Sequence, residues 1–307
     1  MNILVIGCGN IGALYDWDTD TVKTHCKALS KLPNAVVSVY DYNISLSQKV
    51  ATKYNFICIE QEEKIVLSNY EWVVIATPTN SHLQWLIKCF KAEVPLVICE
   101  KPIAKNFDEL NILDKYYTKS KTKVIVNYIR RFQPEYASLK KEIKNNIPIQ
   151  VIVKYQRGIV NNFSHAADLL NYLFGDFLFE NIIITQKVFD EFEDDPTLSF
   201  SAFFNQIPIN IIGLANVKYS YFEIELFFEN EKISIINSGN DIVYQKAKSF
   251  YTFYQPLPSV VEYKESKFLD NYMKHVYNSV IRIYNCEVPD NFIEALRMNQ
   301  QLLQLIQ

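Results

Sequence analysis

The chain has 307 residues, of which 49% are hydrophobic and 21% charged, and its formal net charge is −3 at pH 7. This length allows two domains with a core each, and the weakly acidic balance gives no electrostatic reason to expect nucleic acid or an anionic membrane as a partner. No basic segment precedes an apolar leader, no run approaches ~18 apolar residues, and the six cysteines occur singly, so we expect a cytoplasmic protein.

The chain opens on an apolar strand that runs into a G-x-G-x-x-G turn. We expect Gly7 to make the tight turn, Gly9 to let the backbone approach a pyrophosphate, and Gly12 to let the following helix pack on the sheet. The N–H groups at the start of that helix favour an anion. The turn therefore predicts a dinucleotide site at Gly7, Gly9, Asn10, Ile11 and Gly12.

A second predicted strand, Ala35–Asp41, ends in an acid. A carboxylate at this place can accept two hydrogen bonds from an adenosine ribose and repels a 2′-phosphate. Because Tyr42 and Asn43 follow Asp41, with no arginine or lysine beside it, we expect NAD rather than NADP as the cofactor.

The two features are unusually far apart in sequence. Asp41 comes 29 residues after Gly12, where about 20 is typical. The excess corresponds to the aromatic and acidic segment Tyr15–Thr24. This segment either reaches the substrate, with Trp17 as a substrate-binding candidate, or only caps the sheet.

The rest of the first part alternates strands and helices, as a parallel sheet requires. A helical spacing starts at Val22 and stops at Pro33. The later predicted elements are a helix at Ile44–Tyr54, strands at Phe56–Ile59 and Trp72–Ala76, a helix at Ser81–Ala92, a strand at Leu96–Cys99, a helix at Asp108–Lys119 and a strand at Val124–Tyr128. We expect a doubly wound α/β Rossmann domain at residues 1–122, with ligands at the carboxyl ends of its strands.

Beyond this point strands dominate, with short turns and one helix, His165–Leu173. The predicted strands are Ile149–Tyr155, Asn181–Val188, Leu198–Phe204, Ile207–Ile212, Val217–Phe228 and Lys232–Ile236. Two helices near Lys267–Tyr284 and Asn291–Leu305 end the chain and are placed so that they can pack back on the first domain. The pattern predicts an α+β domain at residues 123–307 with a large, mostly antiparallel sheet.

The strand Val217–Phe228 carries apolar or aromatic residues on both faces, with Tyr219, Tyr221 and Phe227 on one of them. One face can pack on helices, and the other needs a cover. A second subunit is the simplest cover, so we expect a homodimer or homotetramer joined through this sheet.

Four polar segments follow predicted strands, and we expect the sheet geometry to bring them together. They are Thr77–His82, Glu100–Pro102, Asn127–Pro134 and Gly158–Asp168. This order resembles the Gfo/Idh/MocA family of sugar and inositol oxidoreductases over most of the chain. The glycine turn is generic, whereas the Glu-Lys-Pro step and the His-x-x-Asp helix are specific.

The resemblance implies hydride transfer between a nicotinamide and a secondary hydroxyl or ketone of a sugar. Lys101 matches the family's catalytic lysine and His165 its catalytic histidine. Asn161 stands where inositol-type members carry an aspartate and sugar-nucleotide members more often an asparagine. It is our third catalytic candidate, and it favours a nucleotide-linked sugar as substrate, with a role in making a surface glycan.

The resemblance also implies the remaining contacts. Those to the cofactor are at Ala76, Thr77, Pro78, Asn80, His82, Glu100 and Lys101. Those to the substrate are at Lys101, Asn127, Arg131, Asn161 and His165, to which the long segment Tyr15–Thr24 adds Trp17.

The chemistry of these side chains fits such a reaction. Histidine can take the hydroxyl proton near neutral pH, and the Lys101 ammonium can stabilise the developing alkoxide. Asn161 cannot act as a base and is expected to orient the sugar or the imidazole. Glu100 either fixes Lys101 or meets the carboxamide ribose, and Asp168 either orients the His165 ring or makes a structural contact.

Several alternatives remain open at this point. The same site could serve a ketosugar reductase working in the opposite direction, or the chain could be a non-catalytic NAD-binding sensor or regulator. We expect no metal, because the four histidines are far apart and no acidic cluster has the spacing of a ligand set.

Overall fold

The computed structural model describes residues 1–175, 178–247, 257, 262–264 and 268–307. They form two compact units, each described here by itself. The first comprises Met1–Phe132 and Asp270–Gln300, and the second comprises Gln133–Leu269 and Gln301–Gln307. Lys267, the predicted start of the first C-terminal helix, lies outside the described residues.

Strands and helices alternate in the first half, and strands dominate the second. The strands are β1 (Asn2–Ile6), β2 (Val36–Tyr40), β3 (Ile57–Ile59), β4 (Trp72–Ile75), β5 (Leu96–Cys99), β6 (Lys123–Val126), β7 (Gln150–Tyr155), β8 (Phe179–Val188), β9 (Thr197–Phe204), β10 (Ile207–Gly213), β11 (Phe222–Phe227), β12 (Glu231–Ile236), β13 (Asp241–Lys246) and β14 (Glu262–Lys264). The α-helices are α1 (His25–Leu29), α2 (Ile44–Tyr54), α3 (His82–Lys91), α4 (Phe107–Tyr117), α5 (Pro134–Glu142), α6 (Ser164–Phe174), α7 (Tyr272–Tyr284) and α8 (Phe292–Ile306).

The first unit contains a six-stranded sheet in the order β3-β2-β1-β4-β5-β6, with all its strands parallel. β4 and β5 are buried and apolar along their whole length, as strands covered on both faces are. The strand order reverses between β1 and β4, and the ends of these two strands lie side by side, with Ile6 paired to Ile75. This confirms the predicted doubly wound fold, whose ligand crevice lies at such a reversal.

The first unit extends past the predicted boundary at residue 122. β6 pairs with β5, so it belongs to this sheet. The unit also takes in Asp270–Gln300, which contains α7 and most of α8. A boundary placed before β6 would remove a hydrogen-bonded strand from the parallel sheet.

The second unit contains an eight-stranded sheet in the order β14-β13-β12-β11-β7-β10-β9-β8. All neighbours are antiparallel except β7 and β10, which run parallel. The predicted large, mostly antiparallel sheet is therefore confirmed. The helix α5, which starts at Pro134, was not predicted.

The predicted strand Val217–Phe228 is shorter than expected, and one of its faces is more polar. The strand is β11, which starts at Phe222, so Tyr219 and Tyr221 precede it. The face of β11 that points away from the core carries Glu223 and Glu225. Lys154 lies 3.2 Å from the Glu225 carboxylate, and Lys232 forms a second ion pair with it. This part of the sheet is thus covered by charged pairs rather than by a continuous apolar surface.

None of the helices in the described part of the chain combines the length and the apolar character that crossing a bilayer requires.

Candidate functional site

The glycine turn after β1 is built by close backbone approach. Gly7 has a φ of +98°, and a Cβ there would stand 2.6 Å from the carbonyl oxygen of Ala76, at the end of β4. A Cβ on Gly12 would overlap the carbonyl oxygen of Gly7. Around Gly9, by contrast, no atom beyond its chain neighbours lies within 4 Å of a Cβ position. Gly7 and Gly12 thus satisfy the fold, and Gly9 leaves room for a phosphate.

The helical turn that follows Gly9 is a π-helical segment, Asn10–Leu14. Gly9 accepts hydrogen bonds from the N–H groups of Ala13 and Leu14, at 2.8 and 3.2 Å. Asn10 and Ile11 occupy its first positions, where main-chain N–H groups have no partner within the helix. This arrangement can receive an anion beside Gly9.

A cavity of about 370 Å³ lies beside this turn, within the size range of ligand pockets. Its lining comes from the ends of β1, β2 and β4 and the start of α3, and contains Ile6, Gly7, Gly9, Tyr40, Asp41, Tyr42, Asn43, Leu46, Glu62, Ala76, Thr77, Pro78, Ser81, Gln84 and Trp85. Six of the residues predicted to contact the cofactor are in this lining: Gly7, Gly9, Asp41, Ala76, Thr77 and Pro78. The other predicted cofactor residues are outside it, namely Asn10, Ile11, Gly12, Asn80, His82, Glu100 and Lys101. Asn80 lies exposed on the adjacent turn.

Asp41 joins this cavity to the glycine turn. One carboxylate oxygen accepts the N–H of Cys8 at 2.7 Å, and the other accepts the N–H of Asn43 at 2.8 Å. Each carboxylate oxygen has a second lone pair, so both can still accept from a ribose hydroxyl. The lining carries two acids, Asp41 and Glu62, and no lysine or arginine among the described residues.

Both ring nitrogens of His82, a predicted cofactor contact, lie near main-chain carbonyl oxygens. Its side chain is buried, with Nε2 2.8 Å from the carbonyl oxygen of Thr77 and Nδ1 2.9 Å from that of Pro102. Burial lowers the pKa of His82, and a neutral imidazole donates only one hydrogen bond. These two carbonyls belong to the loops after β4 and β5, so the His82 ring lies between the two loops.

Glu100 is also turned inward, away from the contact predicted for it. Its Oε1 lies 2.9 Å from His25 Nε2 and 2.6 Å from Asn127 Nδ2, while His25 Nδ1 lies 2.9 Å from the Tyr277 hydroxyl. Burial raises the pKa of Glu100, but the His25 and Asn127 hydrogen bonds and the Lys101 charge outweigh it, so the pKa is lowered on balance. The side-chain amide of Asn127, a predicted substrate contact, therefore donates to the Glu100 carboxylate.

Lys101 follows Glu100 directly, and its peptide bond to Pro102 is cis. The Glu100 network fixes the main chain from which the lysine side chain leaves. His25 is the member that sequence reasoning missed. It lies 75 positions before Glu100, and no local pattern joins the two.

Arg131, another predicted substrate contact, has a structural partner. Its guanidinium lies 2.7 Å from the Glu294 carboxylate on α8, and the arginine side chain is only 6% exposed. This ion pair ties the segment after β6 to α8.

The segment Tyr15–Thr24 folds as a closed loop around a buried acid. The Asp16 carboxylate accepts from the N–H groups of Lys23 and Thr24 at 2.6 and 2.9 Å, and from the Thr24 hydroxyl at 2.8 Å. Thr24 in turn caps α1. The hydrogen bonds of Asp16 and Thr24 thus stabilise the segment and the start of α1.

Trp17 packs on α2. Its ring meets that of Tyr54 edge-on, with centroids 6.2 Å apart, and the Lys53 ammonium lies 4.1 Å from the indole centroid. These contacts give Trp17 a structural role within the first unit.

In the second unit, His165 lies near the start of α6, directly after a π-helical turn at Ile159–Phe163. Asp168 follows one helical turn later and is buried. The Asn161 side-chain amide donates to the carbonyl of Arg157 at 3.2 Å, and its main-chain N–H donates to Asp195 at 2.7 Å. Asp195 was not identified from the sequence.

In the described residues, no cluster of three or more histidine, cysteine, aspartate or glutamate side chains is arranged to hold a metal ion.

Comparison with known proteins agrees with this geometry. Residues 1–128 match the Gfo/Idh/MocA family, an oxidoreductase family with an NAD-binding Rossmann fold. The matched residues contain all six strands of the parallel sheet. The resemblance found in the sequence is thereby confirmed.

Curated proteins similar to this chain include two inositol 2-dehydrogenases. That of Rhodococcus erythropolis is 27% identical over 198 residues, which are 62% of this chain and 53% of the relative. That of Rhizobium meliloti is 29% identical over 140 residues, 45% of this chain and 39% of the relative. The chain thus spans about half the length of the curated relatives it matches, or less.

Solved structures resemble the chain along nearly its whole length. A UDP-N-acetylglucosamine 3-dehydrogenase from Acidithiobacillus ferrooxidans has a TM-score of 0.78 at 16% identity and covers 99% of this chain and 96% of its own. A 3-ketoreductase from Actinomadura kijaniata, solved with NADP and TDP-benzene, has a TM-score of 0.74 at 10% identity and covers 98% and 95%. At these identities the likeness shows the fold.

Two glycine substitutions should separate binding from folding. Gly9→Ala places a methyl group in open space at a φ of −68°, so the melting temperature should stay near wild type while NADH affinity falls at least about tenfold. Gly12→Ala drives a methyl group into the Gly7 carbonyl and should lower the free energy of unfolding by about 1–3 kcal/mol. Thermal unfolding and NADH fluorescence titration check both. Equal loss of stability in the two variants would contradict this division.

Trp17→Ala should lower the free energy of unfolding by about 1–3 kcal/mol, because it removes the Tyr54 and Lys53 contacts. The kinetic constants should remain unchanged. The control is Tyr15→Ala, which removes an exposed aromatic from the same loop and should leave stability intact. A raised KM for the sugar in Trp17→Ala, with stability retained, would instead support a role over the substrate.

Proposed function

We propose that the protein is an NAD-dependent oxidoreductase that transfers hydride between nicotinamide and a secondary hydroxyl or ketone of a sugar or nucleotide-linked sugar. The observation that carries this proposal is the glycine turn, open at Gly9, beside an Asp41-lined cavity in a domain of an NAD-binding oxidoreductase family. The similar proteins named above act on inositol or on nucleotide-linked sugars, as their names state. One site serves both directions, and the cofactor ratio sets the net flux.

The preference for NAD rests on charge. A 2′-phosphate on the adenosine ribose would meet the Asp41 carboxylate, with Glu62 in the same lining and no cation among the described lining residues to offset either. Two negative groups about 4 Å apart repel by several kcal/mol where the surroundings are only partly solvated. The ribose hydroxyls of NAD, in contrast, can donate to Asp41.

The roles of the chain's own residues follow from their chemistry. The nicotinamide, when bound, accepts or gives the hydride. His165 takes the hydroxyl proton as hydride leaves the carbinol carbon, and Lys101 stabilises the negative charge that develops on that oxygen. Asn161 has no basic form and orients the substrate by hydrogen bonds.

The proposal includes an assembly of identical subunits, argued from one face of the second-unit sheet. The second-unit sheet carries exposed apolar residues on the side opposite its core, at Ile183, Phe203 and Ile212. These residues support a homodimer or homotetramer formed through this sheet at β8–β10, away from the charged β11 face.

All six cysteines are free thiols, which supports a reducing, cytoplasmic compartment.

The charge argument predicts that NAD(H) binds at least about tenfold more tightly than NADP(H). Asp41→Ala should narrow the difference, because it removes the carboxylate that faces the 2′-phosphate. Fluorescence titration with both reduced nucleotides measures the two affinities. Equal affinities for the wild-type protein would refute the NAD preference.

The chemical roles predict the kinetics of two variants. Lys101→Ala should lower kcat about a hundredfold or more, and His165→Ala about 10²–10⁴-fold, with NADH affinity retained in both. The oxidative rate of the wild-type protein should rise with pH as the base loses its proton, and His165→Ala should flatten that rise. His275→Ala, a histidine on α7, is the control and should keep it. Near-native rates in both active-site variants on the true substrate would overturn the assignment.

A further inference from the structure

Four consecutive main-chain N–H groups before His165 are all bound to one segment, residues 195–197. Gly158 and Ile159 donate to the Thr197 hydroxyl and the Pro196 carbonyl, each at 3.0 Å. The next two N–H groups, those of residues 160 and 161, donate to the two carboxylate oxygens of Asp195, at 2.8 and 2.7 Å. We call residues 158–161 the clamped turn.

The turn is shaped to receive this carboxylate. Gly158 has a φ of +79°, and a Cβ there would overlap Oδ2 of Asp195. Only glycine lets the carboxylate approach the backbone this closely. A neighbouring ion pair holds the same stretch from outside, with Arg157 Nε 2.6 Å and Nη2 2.8 Å from the Glu191 carboxylate.

The clamped turn leads without interruption into α6. The N–H of Ser164 donates to the carbonyls of Ile159 and Asn162, so the first turn of α6 is bonded to the clamped turn. Phe163 is buried between them, with its ring centroid 5.1 Å from that of Tyr155. His165 is the next residue after Ser164, so its main chain continues directly from the hydrogen bonds that join α6 to the clamped turn.

We propose that Asp195 is a positioning residue for His165, acting through the two main-chain N–H groups that its carboxylate holds. The inference rests on the proposed function, in which His165 takes the substrate proton. Asp195 itself makes no contact with the reacting atoms. Its effect is to fix the place from which the imidazole works, where an error of about 1 Å can lower a rate a hundredfold.

The charge of Asp195 makes this positioning depend on pH. Burial raises the pKa of Asp195 to about 6, although the N–H groups of Ile159, Val160 and Asn161 lower it. The nearby charge of Asp194 raises it further. Protonation turns one accepting oxygen into a hydroxyl donor, so one of the two amide contacts is lost as the pH falls through about 6.

The other titratable groups around the turn do not change the direction of this pH effect, the loss of an amide contact when Asp195 is protonated. Asp190 accepts the Thr197 hydroxyl, at 3.0 Å. Tyr155 stays neutral, because burial raises its pKa well above the usual range. Arg157 and Glu191 neutralise each other in their ion pair.

The same shift has a consequence for stability. The pKa of Asp195 rises from 3.8 in a free side chain to about 6 in the folded chain, so the folded state holds the proton more tightly. Ionising Asp195 therefore opposes folding as the pH rises through this interval. The charged form of Asp195 therefore lowers the stability of the fold while it orders the turn before His165. We infer that the acid is present for function rather than for stability.

The test compares Asp195→Asn with wild type and with Asp194→Asn, which removes the exposed acid next to it. Asp195→Asn keeps the side-chain shape but can accept only one of the two N–H groups. At pH 8 its kcat should fall about tenfold or more, with NADH affinity unchanged. The ratio of wild-type to Asp195→Asn kcat should shrink toward one at pH 5, because the protonated wild-type carboxyl then resembles the amide. Asp194→Asn should behave as wild type.

Hydrogen exchange of the amides of residues 158–163 provides a readout that does not depend on activity. Exchange at pH 7.5 should be faster in Asp195→Asn than in either reference. If that variant fails to fold, Gly158→Ala provides the second test, because a Cβ there would overlap Oδ2 of Asp195 and should likewise speed exchange at these amides.

The possible failures are distinguishable. Near-native kcat in His165→Ala would overturn the proposed function and the positioning role with it. Unchanged exchange in Asp195→Asn, or a kcat ratio that is constant from pH 5 to 8 while His165→Ala is inactive, would overturn the positioning role alone.

Discussion

No side chain fits between the end of β1 and the end of β4, and the first unit is organised around that constraint. A Cβ on Gly7 would stand 2.6 Å from the Ala76 carbonyl oxygen, and one on Gly12 would overlap Gly7 itself. The two strand ends can therefore lie side by side where the strand order reverses. The cavity lined by Asp41 opens at this place. Because the phosphate-binding turn and the sheet packing share the same backbone, the binding geometry is built into the fold.

Each unit also contains a buried or half-buried carboxylate that holds the main chain just before a candidate catalytic residue. Glu100 precedes Lys101, and Asp195 holds the turn that precedes His165. The two acids differ in their donors. His25 and Asn127 supply hydrogen bonds to Glu100 and lower its pKa on balance, whereas Asp195 receives main-chain N–H groups that do not offset its burial. The first carboxylate stays charged through the working pH range, and the second can change state near its lower end.

Most of the fold could be predicted from short-range patterns in the sequence. The glycine turn, the buried strands β4 and β5 and the change to antiparallel strands are short-range patterns, and each was predicted. Errors arose in two ways. A strand was predicted over too many residues, and a residue type that occurs at both the start and the end of elements was assigned to the wrong one. Tyr219 and Tyr221 suggested a long two-faced strand, although Glu223 and Glu225 already marked one face as polar. Pro134 was taken as the end of a segment, but proline also starts helices, as it does in α5.

The contacts that position the site were not predictable in the same way. His25 meets Glu100 across 75 positions, and the Asn161 N–H meets Asp195 across 34. Both depend on how loops at strand ends fold back, which no periodicity encodes. The surroundings of His82 were equally hidden. Its place after β4 predicted a cofactor contact, and no sequence pattern indicated that its two ring nitrogens would lie within 2.9 Å of the Thr77 and Pro102 carbonyl oxygens.

Asn161 shows how these long-range contacts limit the chemistry. An amide has no basic form near neutral pH, so an asparagine at this position leaves proton removal to another group. The acid that the structure brings against this turn is Asp195, and both of its oxygens accept main-chain N–H groups. A carboxylate engaged in this way holds the backbone and is poorly placed to take a proton from a substrate. His165, just beyond the turn, has the chemistry of a base near neutral pH. In the proposed function it takes the proton, and in the proposed positioning role Asp195 acts only by holding the turn that precedes that ring.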